Sequence, residues 1–160
     1  MINCKKKKTG KKVVSIVIVT IWIISLGLAD SFRSPLPVEE FMLQMESAGF
    51  AVEDRTQLNE FAEIHLIADD GMFTVEFVVY ETASDARDAF RQFRSELEEI
   101  GEILAFLWSS SGFNSWYSQT TADGETARMS RIRSTIVLIN SRVEHEDKVA
   151  EIWELLGQLD

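Results

Sequence analysis

The sequence predicts an α+β fold: an antiparallel sheet of two hairpins (about four to six strands) with three helices packed on it, preceded by an N-terminal transmembrane or signal helix. Three observations predict it. Two short stretches on either side of Asp69-Asp70-Gly71 alternate apolar and polar residues, as half-buried strands do. Three others place apolar residues three and four apart, as amphipathic helices do. At the N-terminus six lysines between Lys5 and Lys12 precede seventeen uncharged residues, Val13 to Ala29.

Seventeen helical residues rise roughly 25 Å, the short limit for a hydrocarbon core of ~30 Å. The run of Val13, Val14, Ile16 to Val19 and Ile21 to Ile24 is apolar on every side, which excludes a soluble amphipathic helix. Lysines on one flank alone hold residues 1–12 in the cytoplasm as a basic tail and send the rest across. Two fates share that orientation. Residues 13–29 stay as a single membrane anchor, or Gly27-Leu28-Ala29 serves as a signal-peptide cleavage site and the protein is secreted after a cut following Ala29. Cys4 is the only cysteine and lies before the lysines, so it is not the lipid-acceptor cysteine of a lipoprotein signal, and the exported part forms no internal disulfide.

Residues 30–37, with Ser31, Ser34, Pro35 and Pro37, read as a stiff linker, and residues 38–160 as one acidic α+β domain. From Ser34 onward nine Lys/Arg stand against 25 Asp/Glu, a net charge of −16 that the basic tail masks in the whole-chain value of −10. Such a surface repels phosphate backbones, which argues against nucleic acid as a partner. About 120 residues is enough for one hydrophobic core.

Within the domain, Val38, Phe41, Met42, Met45 and Ala48 follow Pro37 at helical spacing and stop at Gly49. Phe50 to Asp54 suits a short strand. Ile64 to Ala68 and Phe73 to Val79 form a hairpin about the Asp69-Asp70-Gly71 turn. Helix two follows: Ala86, Phe90, Phe93, Leu97, Ile100, Leu104 and Leu107 step by alternating fours and threes, with Gly101 as an early stop. The same steps fit a coiled-coil seam, and hence a homo-oligomer through helix two, although Phe at two seam positions suits a globular core better. Trp108 to Gln119 reads as a loop of small residues carrying four aromatics. Ala127 to Ile132 and Thr135 to Asn140 form the second hairpin, and Ile136 to Ile139, apolar on both faces, is central in the sheet. A last helix buries Val149, Ile152, Trp153, Leu156 and Leu159, with acids in its first turn.

The run Met45-Glu46-Ser47-Ala48-Gly49-Phe50, the strand Val75-Glu76-Phe77 leading into Ser84-Asp85-Ala86-Arg87-Asp88-Ala89-Phe90, and Arg131 to Ile139 before a closing helix resemble small extracytoplasmic domains of Gram-positive bacteria, many of them lipoproteins of unassigned function. The resemblance spans most of Val38 to Leu159 and implies an extracytoplasmic α+β fold. It carries over no functional residue. This chain departs from the pattern in having Arg133-Ser134 where a Gly-Asn turn precedes the last strand, and in lacking the lipidated cysteine.

Chemistry-bearing motifs are sparse. His65 and His145 share no neighbours at metal-ligand spacing, and no glycine-rich phosphate cradle occurs, so neither a metal nor a cofactor is expected. Ser109-Ser110-Ser111-Gly112 lacks a strand-to-helix elbow for a nucleophile. The carboxylate pairs Asp69-Asp70, Glu98-Glu99 and Glu53-Asp54 sit at a turn, on a helix or in a strand rather than in an evident cleft. The aromatic loop is the candidate recognition surface: Phe113, Trp116 and Tyr117 beside Ser, Gly and Asn give rigid contact area with adaptable hydrogen bonding for an envelope protein or a glycan. Its competing role is to cap the core. The sequence thus reads as a non-catalytic binding domain, with an envelope-directed hydrolase using carboxylates in a cleft as the alternative.

Overall fold

The computed structural model describes residues 33–158. The basic tail, the apolar segment 13–29, the first three residues of the linker (30–32) and residues 159–160 lie outside the described residues. Residues from Ser34 on form one compact unit.

Helix α1 (Val38–Ser47) starts at Pro37, whose φ of −65° is already that of a helix, and ends before Gly49 at φ +90°. Strand β1 (Ala51–Asp54) pairs with β2 (Ile64–Asp69), which turns into β3 (Thr74–Val79). In that turn Asp69 accepts from the Gly71 N–H and Asp70 from the N–H groups of Met72 and Phe73. Helix α2 (Ala83–Glu98) is capped by Thr82, whose hydroxyl accepts from the Asp85 N–H and donates to the Asp85 carboxylate. Four strands follow: β4 (Ile103–Ser110), β5 (Asn114–Thr121), β6 (Glu125–Ile132) and β7 (Thr135–Arg142). Helix α3 (Glu146–Leu155) closes the domain, with Glu146 and Asp147 in its first turn.

All seven strands join one antiparallel sheet in the order β1-β2-β3-β7-β6-β5-β4. The α+β class and the three helices stand as expected, and β7 is the fourth of the seven strands. Three expectations are corrected. The sheet has seven strands, not four to six, and helix two does not run on to Leu107. It ends at Glu98, Gly101 at φ +69° redirects the chain, and Ile103 to Ser110 becomes a strand paired with β5. The segment from Trp108 to Gln119, expected as a loop, is the β4–β5 hairpin.

The strands' pleat sends alternate residues to two different cores. On one face α1 and α3 cover Leu66, Val75, Phe77, Val137 and Ile139, with Phe41 stacked on Phe77 at 4.6 Å between ring centroids. On the other, α2 lays Ala86, Phe90 and Leu97 over Val78, Tyr117, Met129, Ile136 and Leu138. β3 and β7 are therefore buried on both faces. β4, three strand positions from β7, carries no such cover, and every residue from Leu104 to Ser110 is exposed.

Candidate recognition edge

The turn that joins β4 to β5 is built by arginines. Ser111 N–H donates to the Asn114 carbonyl at 2.6 Å, and Asn114 N–H to the Ser111 hydroxyl at 3.0 Å, closing a tight loop. Its remaining carbonyls face cations: Arg131 donates to Phe113 at 2.8 Å and to Ser111 at 3.4 Å, and Arg87 to Gly112 at 2.8 Å. The Arg133 N–H also donates to the Phe113 carbonyl. The backbone under Phe113 is thereby held from several sides, and its ring projects with 53% exposed.

Arg131 is itself wholly buried on β6. Its guanidinium also donates to the Arg133 carbonyl and the Ser115 hydroxyl. Burial first, and then the charges of Arg87 and Arg91, pull its pKa down to about 10, so it is still a cation at neutral pH. A buried cation whose two terminal nitrogens are held by neutral oxygens organises a turn at some electrostatic cost.

From this turn the exposed apolar surface runs along β4. Leu104, Phe106, Leu107 and Trp108 are between half and two-thirds exposed, and no charged residue occurs from Ile103 to Ala122. The pleat puts Phe106 and Trp108 on the α2 side and Leu107 on the opposite side. Arg94 reaches over from α2 to Trp108, 5.0 Å from ring centroid to guanidinium carbon, while ion-paired with Glu98 at 3.2 Å.

The three aromatic residues expected to act together are separated by the pleat. Phe113 is at the turn and exposed; Trp116 is half-buried on the face away from α2; Tyr117 is fully buried beneath α2, its hydroxyl donating to Gln119. Neighbouring residues of a strand point to opposite faces, so Trp116 and Tyr117 share no surface. Sequence reasoning missed Leu104, Phe106 and Leu107 because helical spacing assigned two of them to a buried seam. The signal that marked them was the charge-free run itself, since a solvated strand face ordinarily carries charged residues between its apolar ones.

Elsewhere the titratable groups serve structure. Among the described residues no group of three or more His, Cys, Asp or Glu is placed to hold a metal ion. His65 lies 3.3 Å from Glu76 across β2–β3. Asp54 and Asp123 are held below the ordinary carboxylate range by the hydroxyls of Thr56 and Thr121. Burial pushes Asp70 up, but Lys148 and the Met72 and Phe73 N–H groups outweigh it and leave it lowered. A general acid needs the opposite shift. Burial, then Glu76, raises the Tyr80 phenol to about 12. A groove between α2 and the segment before β2 is lined by Phe61, Tyr80, Asp85, Asp88 and Phe93. Among the described residues no helix is long and apolar enough to cross a membrane.

Fold and edge together define a seven-stranded antiparallel α+β domain with one apolar, uncharged edge strand. Neither the family models, nor the curated proteins, nor the solved structures contain a match to this chain.

Proposed function

We propose that this chain is a membrane-anchored or exported domain that binds or scaffolds and does no chemistry, with β4 and the Phe113 turn as its contact surface. The observation that carries the reading is the exposed apolar strand without charges in a domain of net charge −16. Exposed contiguous apolar surface rimmed by polar residues is the mark of an interaction site. A protein partner is favoured over a glycan because an edge strand also offers a row of backbone donors and acceptors to a pairing chain. The extracytoplasmic placement rests on the order of lysines, apolar run and acidic domain.

Two measurements test this. A photoreactive residue at Leu107 or Phe113, illuminated in living cells, is expected to give covalent products heavier than the chain, while the same residue at the equally exposed Leu43 of α1 gives none. Unmodified chain at all three positions sinks the contact surface. Mass spectrometry of the N-terminus from membrane and medium fractions tests the address: an intact Met1 means anchoring, Asp30 means secretion, and an intact chain confined to cytosol removes both.

A further inference from the structure

The two edges of the sheet are built differently. β1 has four residues, ends in Glu53 and Asp54, and is followed by Arg55, which bonds Glu53 at 3.0 Å. Short length and charge are the ordinary means of keeping an edge from pairing with another chain. β4 has eight residues, no charge, and large apolar side chains on both faces. From Ala105 to Ser110 nothing on β4 guards against pairing, and among the described residues no strand covers its outer side.

We propose that β4 pairs antiparallel with β4 of a second copy about a two-fold axis at Leu107, joining two seven-stranded sheets into one. This names the partner of the surface already assigned to binding and rests on that reading. The register follows from the ladder. Ser111 and Asn114 close the hairpin with a hydrogen-bonded pair, so by the antiparallel alternation Ser109, Leu107 and Ala105 bond to β5. The backbone groups of Phe106, Trp108 and Ser110 then point outward. The strand is irregular between Ile103 and Ala105, which leaves a regular stretch centred near Leu107. With the axis there, Phe106 faces Trp108 of the second copy and their outward N–H and C=O groups exchange. The two aromatic rings meet as a cross-strand pair on one face, and Leu107 meets its own copy on the other.

The arrangement of charge across the axis favours a second copy. Two domains of net charge −16 repel each other as wholes, and the uncharged seam adds nothing to that repulsion. α2 runs antiparallel to β4, with Arg87 at the Gly112 turn, Arg94 over Trp108, and Glu98 and Glu102 toward the start of β4. A two-fold axis at Leu107 brings the Arg87 and Arg91 end of one α2 toward the Glu98 and Glu102 end of the other. Three half-exposed aromatic rings of about 150–250 Å² each when whole, with two leucines, leave on the order of 500 Å² of apolar surface per copy, which the paired backbone and the α2 flank bring toward the roughly 800 Å² per partner of a standard interface.

The test uses the full-length chain with Cys4→Ser and Leu107→Cys. On the axis the two cysteines form a non-hydrogen-bonded pair with Cα atoms about 4.5 Å apart, inside the span of a disulfide. Mild oxidation is expected to move most of the chain to twice its mass on a non-reducing gel, while Leu43→Cys in the same background stays monomeric. Adding Phe106→Pro removes an outward N–H from an edge that otherwise tolerates proline, so dimer yield is expected to fall about tenfold, whereas Phe106→Val retains it. Circular dichroism checks that each variant is folded. A folded Leu107→Cys chain that stays monomeric, or a dimer indifferent to Phe106→Pro, overturns the proposal. If the photoreactive residue at Leu107 captures a different protein while Leu107→Cys stays monomeric, self-pairing falls and the binding reading stands. If neither probe gives any product, both fall.

Discussion

The guanidinium carbon of Arg94 stands 5.0 Å from the ring centroid of Trp108, the contact by which α2 reaches the edge strand. It links the helix that covers one core to the strand that covers none. Glu98, at 3.2 Å from Arg94, holds the side chain in place one turn further on.

A cation over an exposed aromatic ring contributes about 0.5–1 kcal/mol. Arg94→Ala is therefore expected to lower the urea midpoint by a corresponding amount, and Arg94→Lys to lower it less. Identical midpoints for wild type and Arg94→Ala would show that the contact does not stabilise the fold.

Arg131→Met removes the donor shared by the carbonyls of Ser111, Phe113 and Arg133. A part-buried carbonyl stripped of its donor costs about 1–3 kcal/mol at most, but the Phe113 carbonyl keeps the Arg133 N–H, and losing a desolvated cation offsets part of the rest. The expected net loss is on the order of 2 kcal/mol in chemical unfolding. Hydrogen exchange should quicken at the Asn114 and Arg133 amides, which close the same turn. Unchanged exchange there would separate Arg131 from the turn.

Arg133 has φ +56° in the two-residue turn between β6 and β7, the one non-glycine residue with positive φ among the described residues. A side chain in this region costs roughly 1–2 kcal/mol, and glycine is favoured at the first position of such hairpin turns. Arg133→Gly is expected to stabilise the domain by about 1 kcal/mol, reduced by the freer unfolded chain. A lower thermal midpoint in that variant would refute the strain argument.

Asp70 supplies an acid limb to the stability profile. Its side chain is 6% exposed and paired with Lys148 of α3, whose ammonium also lies 5.3 Å from the Phe50 ring. The folded pKa is below the ordinary 3.8, so the stabilisation is fully present above that value and is lost as pH falls through the folded pKa. Asp70→Asn is expected to flatten stability against pH below about 3.8 and to leave its slope between pH 6 and 8 unchanged. A slope below 3.8 that survives the substitution would assign the acid limb to other groups.

Much of the architecture was legible because burial imposes a period. Leu66 and Ala68, then Val75 and Phe77, alternate as strands packed on one side must, and Ile136 to Ile139 is apolar throughout because β7 is covered on both faces. The edge strand was not legible. Ile100, Leu104 and Leu107 continue the helical steps of Phe93 and Leu97, and only Gly101 at φ +69° and the ladder to β5 distinguish strand from helix. An exposed strand obeys no burial period, so its sequence carries none.

By itself the sequence determined the α+β class, the central strand, three helices, the acidity of the domain and the charge-free run from Ile103 to Ala122. These are local or additive properties: side-chain period, turn chemistry and summed charge. Tertiary structure decided that the first half of this run would be a strand at the margin of the sheet, that Tyr117 would go under α2 while Phe113 stayed outside, and that a buried Arg131 would hold the turn that carries Phe113. Each depends on partners distant in the chain, and pairing between distant segments is decided by the packing of the whole rather than by the residues of either one.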